Sequence, residues 1–258
     1  MTTLKLGVRL ESLGLPLRRS LQEAQRLGVP GVEVDAAGDL APDRLSQTGR
    51  REFRHLLRAY NVELTALGCP LRRGLDTAEN QEGRIDHVKK VMSLSFDLGP
   101  RLAIVRPGQV PEDDQDPRGH LLKEALLALG QHGDRVGTTL ALETGQEAAP
   151  VLRKFLESLD TGSLGVNFDP ASLLLGGHNP YEAARALQGR VIHAHARDAR
   201  RAAAQEVPLG HGDIDWMMLA GVLAEIEYQG WLTVVRESGD RRVADVTEGV
   251  AFLRRLIA

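Results

Sequence analysis

The sequence predicts a single (β/α)8 barrel over residues 1–258, and three observations carry that expectation. Short apolar, β-rich runs recur along the whole chain. Segments with apolar residues at helical spacing separate them, and no linker or shift in composition divides the chain. The length also suits eight βα units of ordinary size. A doubly wound open sheet would ordinarily bring a glycine-rich turn after an early strand, and "ESLGLP" lacks the three-glycine spacing.

Taken in order, "LKLGVRL" (4–10) is the first expected strand, and "LPLRRSLQEAQRLGV" follows with Leu17, Leu21, Ala24 and Leu27 on one stripe of a helix. "GVEVD" (31–35) leads to the helix "RREFRHLLRAYNV", and "VELTAL" (62–67) to "RIDHVKKVMSLSFDLG". "RLAIVR" (101–106) precedes "LLKEALLALGQHG", and "TTLALE" (138–143) precedes "VLRKFLESL". "LGVNFD" (164–169) is followed by "YEAARALQG", "RVIHAH" (190–195) by "WMMLAGVLAEIEYQG", and "WLTVVRE" (231–237) by "VTEGVAFLRRLIA". Gly28, Gly99, Gly189 and Gly230 sit just past helical segments, where a glycine relieves C-terminal strain.

Bulk composition narrows the function classes. Lys and Arg number 32 against 35 Asp and Glu, with no basic block, so a broad nucleic-acid footprint is not expected. Cys69 is the only cysteine, which excludes an intrachain disulfide and a cysteine-based zinc site. Charges interrupt every apolar run at the start, and no run approaches the ~18 residues of a membrane span. A cytoplasmic protein that neither enters a membrane nor binds nucleic acid is the expectation; homo-oligomerisation is left open.

Chemistry collects at the ends of the last four expected strands: Glu143, Asp169, His195 and Glu237. In a parallel barrel these ends face the active-site mouth. Positions 143, 169 and 195 are spaced by 26 residues each, one βα unit, so their strands lie side by side. Alternation turns them inward, with Thr139, Ala141 and Glu143 on one face, and likewise Gly165, Asn167 and Asp169, Val191, His193 and His195, and Thr233, Val235 and Glu237. Three carboxylates and an imidazole suit a divalent ion, Mn²⁺ first, with Mg²⁺, Co²⁺ or Zn²⁺ as alternatives. Without a cation, converging carboxylates repel one another.

From 138 to 239 the chain resembles the xylose isomerase-like TIM barrel family of sugar isomerases and epimerases. "LALETG", "VNFDPASLL", "HAHARD", "PLGHGDIDW" and "VVRES" carry the likeness, with Arg197 where lysine is usual. The resemblance implies one catalytic divalent metal on Glu143, Asp169, His195 and Glu237, with the two glutamates as acid and base on opposite faces of a small sugar, sugar phosphate or hydroxy-ketone. A cation polarising the carbonyl and a carboxylate removing the neighbouring proton yield an enediolate. Glu33, Arg106, Arg201 and His211 are the expected substrate contacts; Arg201 stands where some relatives place a substrate arginine. His193 is expected to pack below the metal, and Asp198 to orient a neighbour or cap a turn. Ser172 stands where ketose epimerases of the family often carry histidine, a departure from a strict match to them that leaves inosose-type, hydroxypyruvate-type and other isomerases open. A dehydratase acting on a cyclic polyol ketone is therefore the alternative, ahead of a non-catalytic metal-binding relative. An abasic-site endonuclease on the same barrel would need histidines on strands two to four, which end in "EVD", "LGCP" and "VRPG".

Overall fold

A computed structural model describes residues 4–257 except 114 and 146. Eight parallel strands close into a barrel: β1 (Lys5–Arg9), β2 (Gly31–Asp35), β3 (Glu63–Cys69), β4 (Leu102–Val105), β5 (Thr139–Glu143), β6 (Leu164–Phe168), β7 (Val191–Ala196) and, after a two-stranded hairpin, β10 (Trp231–Val234). The hairpin, β8 (Asp198–Arg200) and β9 (Gln205–Val207), is antiparallel and stands between β7 and the next helix. Helices α1 (Leu17–Leu27), α2 (Gln47–Ala59), α3 (Gln81–Leu98), α4 (Pro117–Val136), α5 (Ala149–Glu157), α7 (Pro180–Ala186), α8 (Trp216–Glu225) and α9 (Arg242–Ile257) follow the strands, and a short α6 (Pro170–Leu175) is added straight after β6. Among the described residues no helix is long and apolar enough to cross a membrane.

Packing divides into two apolar layers. The larger lies where strands meet helices, and includes Leu21, Phe53, Met92, Leu126, Phe168, Trp216 and Leu253. A smaller cluster inside the barrel joins Ala66, Ile104 and Ala141 with Leu102 and Ile192. Gly165 keeps that interior open, because a β-carbon there would collide with the Ile192 side chain. Above this floor the barrel interior turns polar, with Glu33, Asn167, His193, His195 and Thr233 all buried.

Two strands depart from what the sequence predicts. On β7, Val166 pairs with Val191 and Asn167 with His193, so Ile192 is an extra residue on its side of the ladder. Such a bulge re-aims side chains. Val191 consequently packs with the larger outer layer and Ile192 enters the barrel, correcting the expectation that Val191 shares the inner face with His193 and His195. The last barrel strand ends at Val234 rather than near 237. Val235 N–H still donates to the Ala196 carbonyl, but Glu237 N–H and Ser238 N–H are taken by the carboxylate of Glu206 on β9. The hairpin, not the barrel ladder, thus places Glu237.

Candidate metal centre

Glu143 ends β5 and is buried. Thr144 then ties β5 to β6, its N–H donating to Asn167 O at 3.0 Å and its hydroxyl accepting from Asp169 N–H at 2.8 Å. Asp169 lies one residue beyond β6 and divides its carboxylate between two tasks. Oδ1 caps α6 by accepting from Ser172 N–H at 2.8 Å, while the buried Oδ2 has no hydrogen-bond partner. His195 Nδ1 stands 3.5 Å from that oxygen and 3.6 Å from Glu143 Oε2. Ligand atoms of Glu143, Asp169 and His195 all lie within 4.8 Å of one another. Two carboxylates and an imidazole nitrogen, with one carboxylate oxygen buried and lacking a hydrogen bond, fit a divalent cation. The structure thus brings together three of the four metal ligands predicted from sequence.

Glu237, the fourth, stands apart from that convergence and is exposed. Its Oε2 accepts from Arg197 and its Oε1 from Arg106 and, at 3.4 Å, Arg9. Arg106 is exposed and also donates Nε–H to Glu143 Oε1 at 2.6 Å, so one planar guanidinium lies between the two glutamates. Arg197 is buried, with Nε 3.0 Å from Asp169 Oδ2 in an ion pair, while its Nη2 donates to Ser172 Oγ. The two departures from the family pattern, Ser172 and Arg197, therefore touch each other.

Beneath the convergence lies a buried network. Glu33, expected among the substrate contacts, is 1% exposed and places Oε2 2.9 Å from His195 Nε2. His193 Nδ1 bonds Asn167 Oδ1 at 2.8 Å and its Nε2 bonds the Thr233 hydroxyl at 3.1 Å. An amide oxygen only accepts, so His193 carries its hydrogen on Nδ1 and takes the hydroxyl hydrogen on Nε2. Burial holds this imidazole down at about 4, against 6.5 for the free group. His195 goes the other way. Burial opposes its charge, but Glu33, Asp169 and Glu143 outweigh that and raise it to about 10. Burial would likewise raise Glu33 and Asp169, yet His195 holds Glu33 at about 2, and Arg197 with His195 keeps Asp169 below the usual carboxylate range. Burial is similarly overridden at Glu237, which Arg197 and Arg106 hold low.

The remaining predicted residues scatter. Arg201 donates to the carbonyls of Leu174 and His178 beyond α6, and exposed His211 lies in a shallow cleft with Phe252 and Arg255 of α9. Neither has a described contact with the convergent donors. Asp198 orients its surroundings, with Oδ2 accepting from Gly210 N–H, Gly212 N–H and the Trp216 indole. Gly212 is required there because a β-carbon would strike the Asp198 carboxylate. Sequence reasoning missed Arg9, which holds Asp35 through two hydrogen bonds of 3.0 and 2.9 Å. The available signal was alternation: Gly7 and Arg9 share a face, as do Gly31, Glu33 and Asp35. Arg9, Glu33, Asp35, Cys69, Arg106 and Glu143 line a cavity of about 120 Å³ beside the convergence. A larger cleft of about 810 Å³, at the N-terminal end of α9, contains none of the convergent residues.

With fold and site together, the chain can be placed: residues 21–256 match the family model described as xylose isomerase-like TIM barrel, and the protein belongs to that family. Among solved structures it is similar to a xylose isomerase domain protein from Planctomyces limnophilus, at 28% identity and TM-score 0.88, covering 98% of this chain and 97% of that one. Among curated proteins it is 29% identical over 232 residues to the uncharacterized protein YfiH of Bacillus subtilis, covering 76% of this chain and 74% of that protein. It is 28% identical over 151 residues to an inosose dehydratase of Clostridium botulinum, a match covering 50% of each.

Proposed function

We propose that the protein is a divalent-cation-dependent isomerase or epimerase of a small sugar, sugar phosphate or related hydroxy-ketone, working through an enediolate. The observation that carries this reading is the convergence of Glu143, Asp169 and His195 on a buried oxygen without a hydrogen-bond partner, with Glu237 across the mouth. Glu143, Asp169 and His195 would hold the cation, Mn²⁺ first, with Glu237 completing the set. A bound cation supplies Lewis-acid polarisation of the carbonyl. Glu143 and Glu237 then take a proton from carbon and return it. Their disposition supports this: one Arg106 guanidinium donates to both carboxylates, so the two glutamates border the same small space. Arg197 and Arg106 keep Glu237 ionised, the state a base needs. The same reading takes residues 1–258 as one cytoplasmic domain acting on a small molecule, not on nucleic acid.

A second reading is favoured by the inosose dehydratase match: the same base and cation can expel water from the enediolate of a cyclic polyol ketone. One experiment separates the two. Ketoses and cyclic polyol ketones are incubated with the Mn²⁺-loaded protein in D₂O. An isomer or epimer carrying deuterium on carbon supports the first reading, and loss of water from a cyclic ketone supports the second. Absence of turnover on every member of both sets, with metal bound, counts against both.

A further inference from the structure

Glu33 is deeply buried, lies beside a histidine of the convergence, and is not one of the ligands proposed above. Its surroundings admit two roles. Glu33, His193 and His195 offer donor atoms within 4.8 Å and could be taken for a second cation site. The hydrogen bonds of His193 argue against that, since Nδ1–H is given to Asn167 and Nε2 accepts from Thr233, leaving no nitrogen lone pair for a metal. Glu33 itself is tied to His195, at 2.9 Å from Nε2, while His193 Nε2 is 3.9 Å away.

We infer that Glu33 is a positioning residue that fixes the hydrogen of His195 on Nε2 and so dedicates Nδ1 to the cation. The two ring nitrogens face different company. Nε2 meets the carboxylate of Glu33, which only accepts, and Nδ1 meets Glu143 Oε2 and Asp169 Oδ2. Asn167 Nδ2 lies beside the ring, 3.1 Å from Nδ1 and 3.3 Å from Nε2, and discriminates little between them. Selection therefore falls to Glu33. Its other oxygen is 3.6 Å from Arg9 Nε, and Arg9 is pinned by Asp35, so the chain Asp35–Arg9–Glu33–His195 runs from β2 through β1 to the metal centre. A carboxylate behind a ligating imidazole orients the ring and raises its basicity, and losing one costs about 10–100-fold in metal affinity.

This inference rests on the cation-site reading above, and the test separates their failures. Zn²⁺ affinity of the wild type and of Glu33→Gln is measured by competition with a chromophoric chelator. Long-range ¹H–¹⁵N correlation on Zn²⁺-loaded, ¹⁵N-histidine-labelled wild type identifies the ligating nitrogen of His195. The glutamine amide donates as readily as it accepts and so permits the useless tautomer with hydrogen on Nδ1. Expected are Nδ1 ligation in the wild type and about 10–100-fold weaker Zn²⁺ binding in the variant, with near-ultraviolet circular dichroism unchanged. A purely packing role would lower thermal stability and leave Zn²⁺ affinity alone, overturning the inference. So would Nε2 ligation in the wild type, which is read even if the variant does not fold. A wild type that binds no Zn²⁺ overturns the cation site and this inference together.

Discussion

The two halves of the barrel mouth are built from different chemistry. On the β5, β6 and β7 side the strand ends offer Glu143, Asp169 and His195, whose donor atoms point at one another. On the β1, β2 and β4 side they offer Arg9, Glu33, Asp35 and Arg106, a set that pairs within itself or reaches across. One half gathers the candidate ligands and the other supplies much of their counter-charge. Across the mouth the carboxylates of Glu33, Asp35, Glu143, Asp169 and Glu237 outnumber Arg9, Arg106 and Arg197, so the centre keeps a negative excess that attracts a cation. The arginines lower the repulsion, Arg106 by donating to Glu143 and Glu237 and Arg197 by pairing with Asp169 and Glu237.

That contrast can be broken most decisively at the two glutamates. Glu143→Gln and Glu237→Gln should each lose about 10²–10⁴-fold in turnover, because an amide cannot exchange the proton. Each should keep the fold by circular dichroism and retain measurable Mn²⁺; full activity in either removes that residue from acid–base duty. Asp169→Asn should fail mainly through weaker cation binding, since the amide oxygen can still cap α6. A titration in which added Mn²⁺ restores no turnover would contradict this division of labour. Arg106→Ala probes the opposite half. Charge-assisted hydrogen bonds contribute about 1.5–3 kcal/mol, so KM should rise by about tenfold or more while Mn²⁺ affinity is kept or improved. A fall in Mn²⁺ affinity would make Arg106 part of the metal support instead.

The smallest effect concerns pH. His193 is held at about 4 in the fold against 6.5 when free. A depressed histidine gives stability that is whole above pH 6.5 and shrinks as pH falls toward 4, with a slope approaching ~1.4 kcal/mol per pH unit. Urea unfolding of metal-free His193→Gln should show a shallower loss over that window than the wild type; parallel curves would mean the ring is not kept neutral. His195, raised to about 10, adds no slope there, because it is protonated in both states below pH 6.5.

Much of this was legible in the chain. Every expected strand is present, and β2 and β5 end at Asp35 and Glu143 as the pattern implies, because buried parallel strands read as short continuous apolar runs between amphipathic helices. The 26-residue spacing also located three side chains whose donor atoms do converge. What was not legible depends on partners remote in sequence. The bulge at Ile192 is a property of how β7 pairs with β6. The early end of β10 follows from Glu206 capturing the backbone at Glu237. Glu33 reads as a polar strand end, and only the closed barrel shows that His195, 162 positions away, is its neighbour. Arg201 and His211 sit in loops whose register no periodicity fixes, and neither has a described contact with the convergent donors.

The contact between Arg197 and Ser172 has a consequence for substitution at either position. A histidine at 172 would intrude on the volume now held by the guanidinium, and a lysine at 197 would leave the serine hydroxyl and Asp169 without their present donor. The two positions should therefore be coupled: changing either one alone disturbs a contact that the other makes, whichever change comes first. Ser172→His and Arg197→Lys, made singly and together, should be non-additive in thermal stability by about 0.5–3 kcal/mol, the range for residues in contact. Additive changes would mean that the two sites are independent.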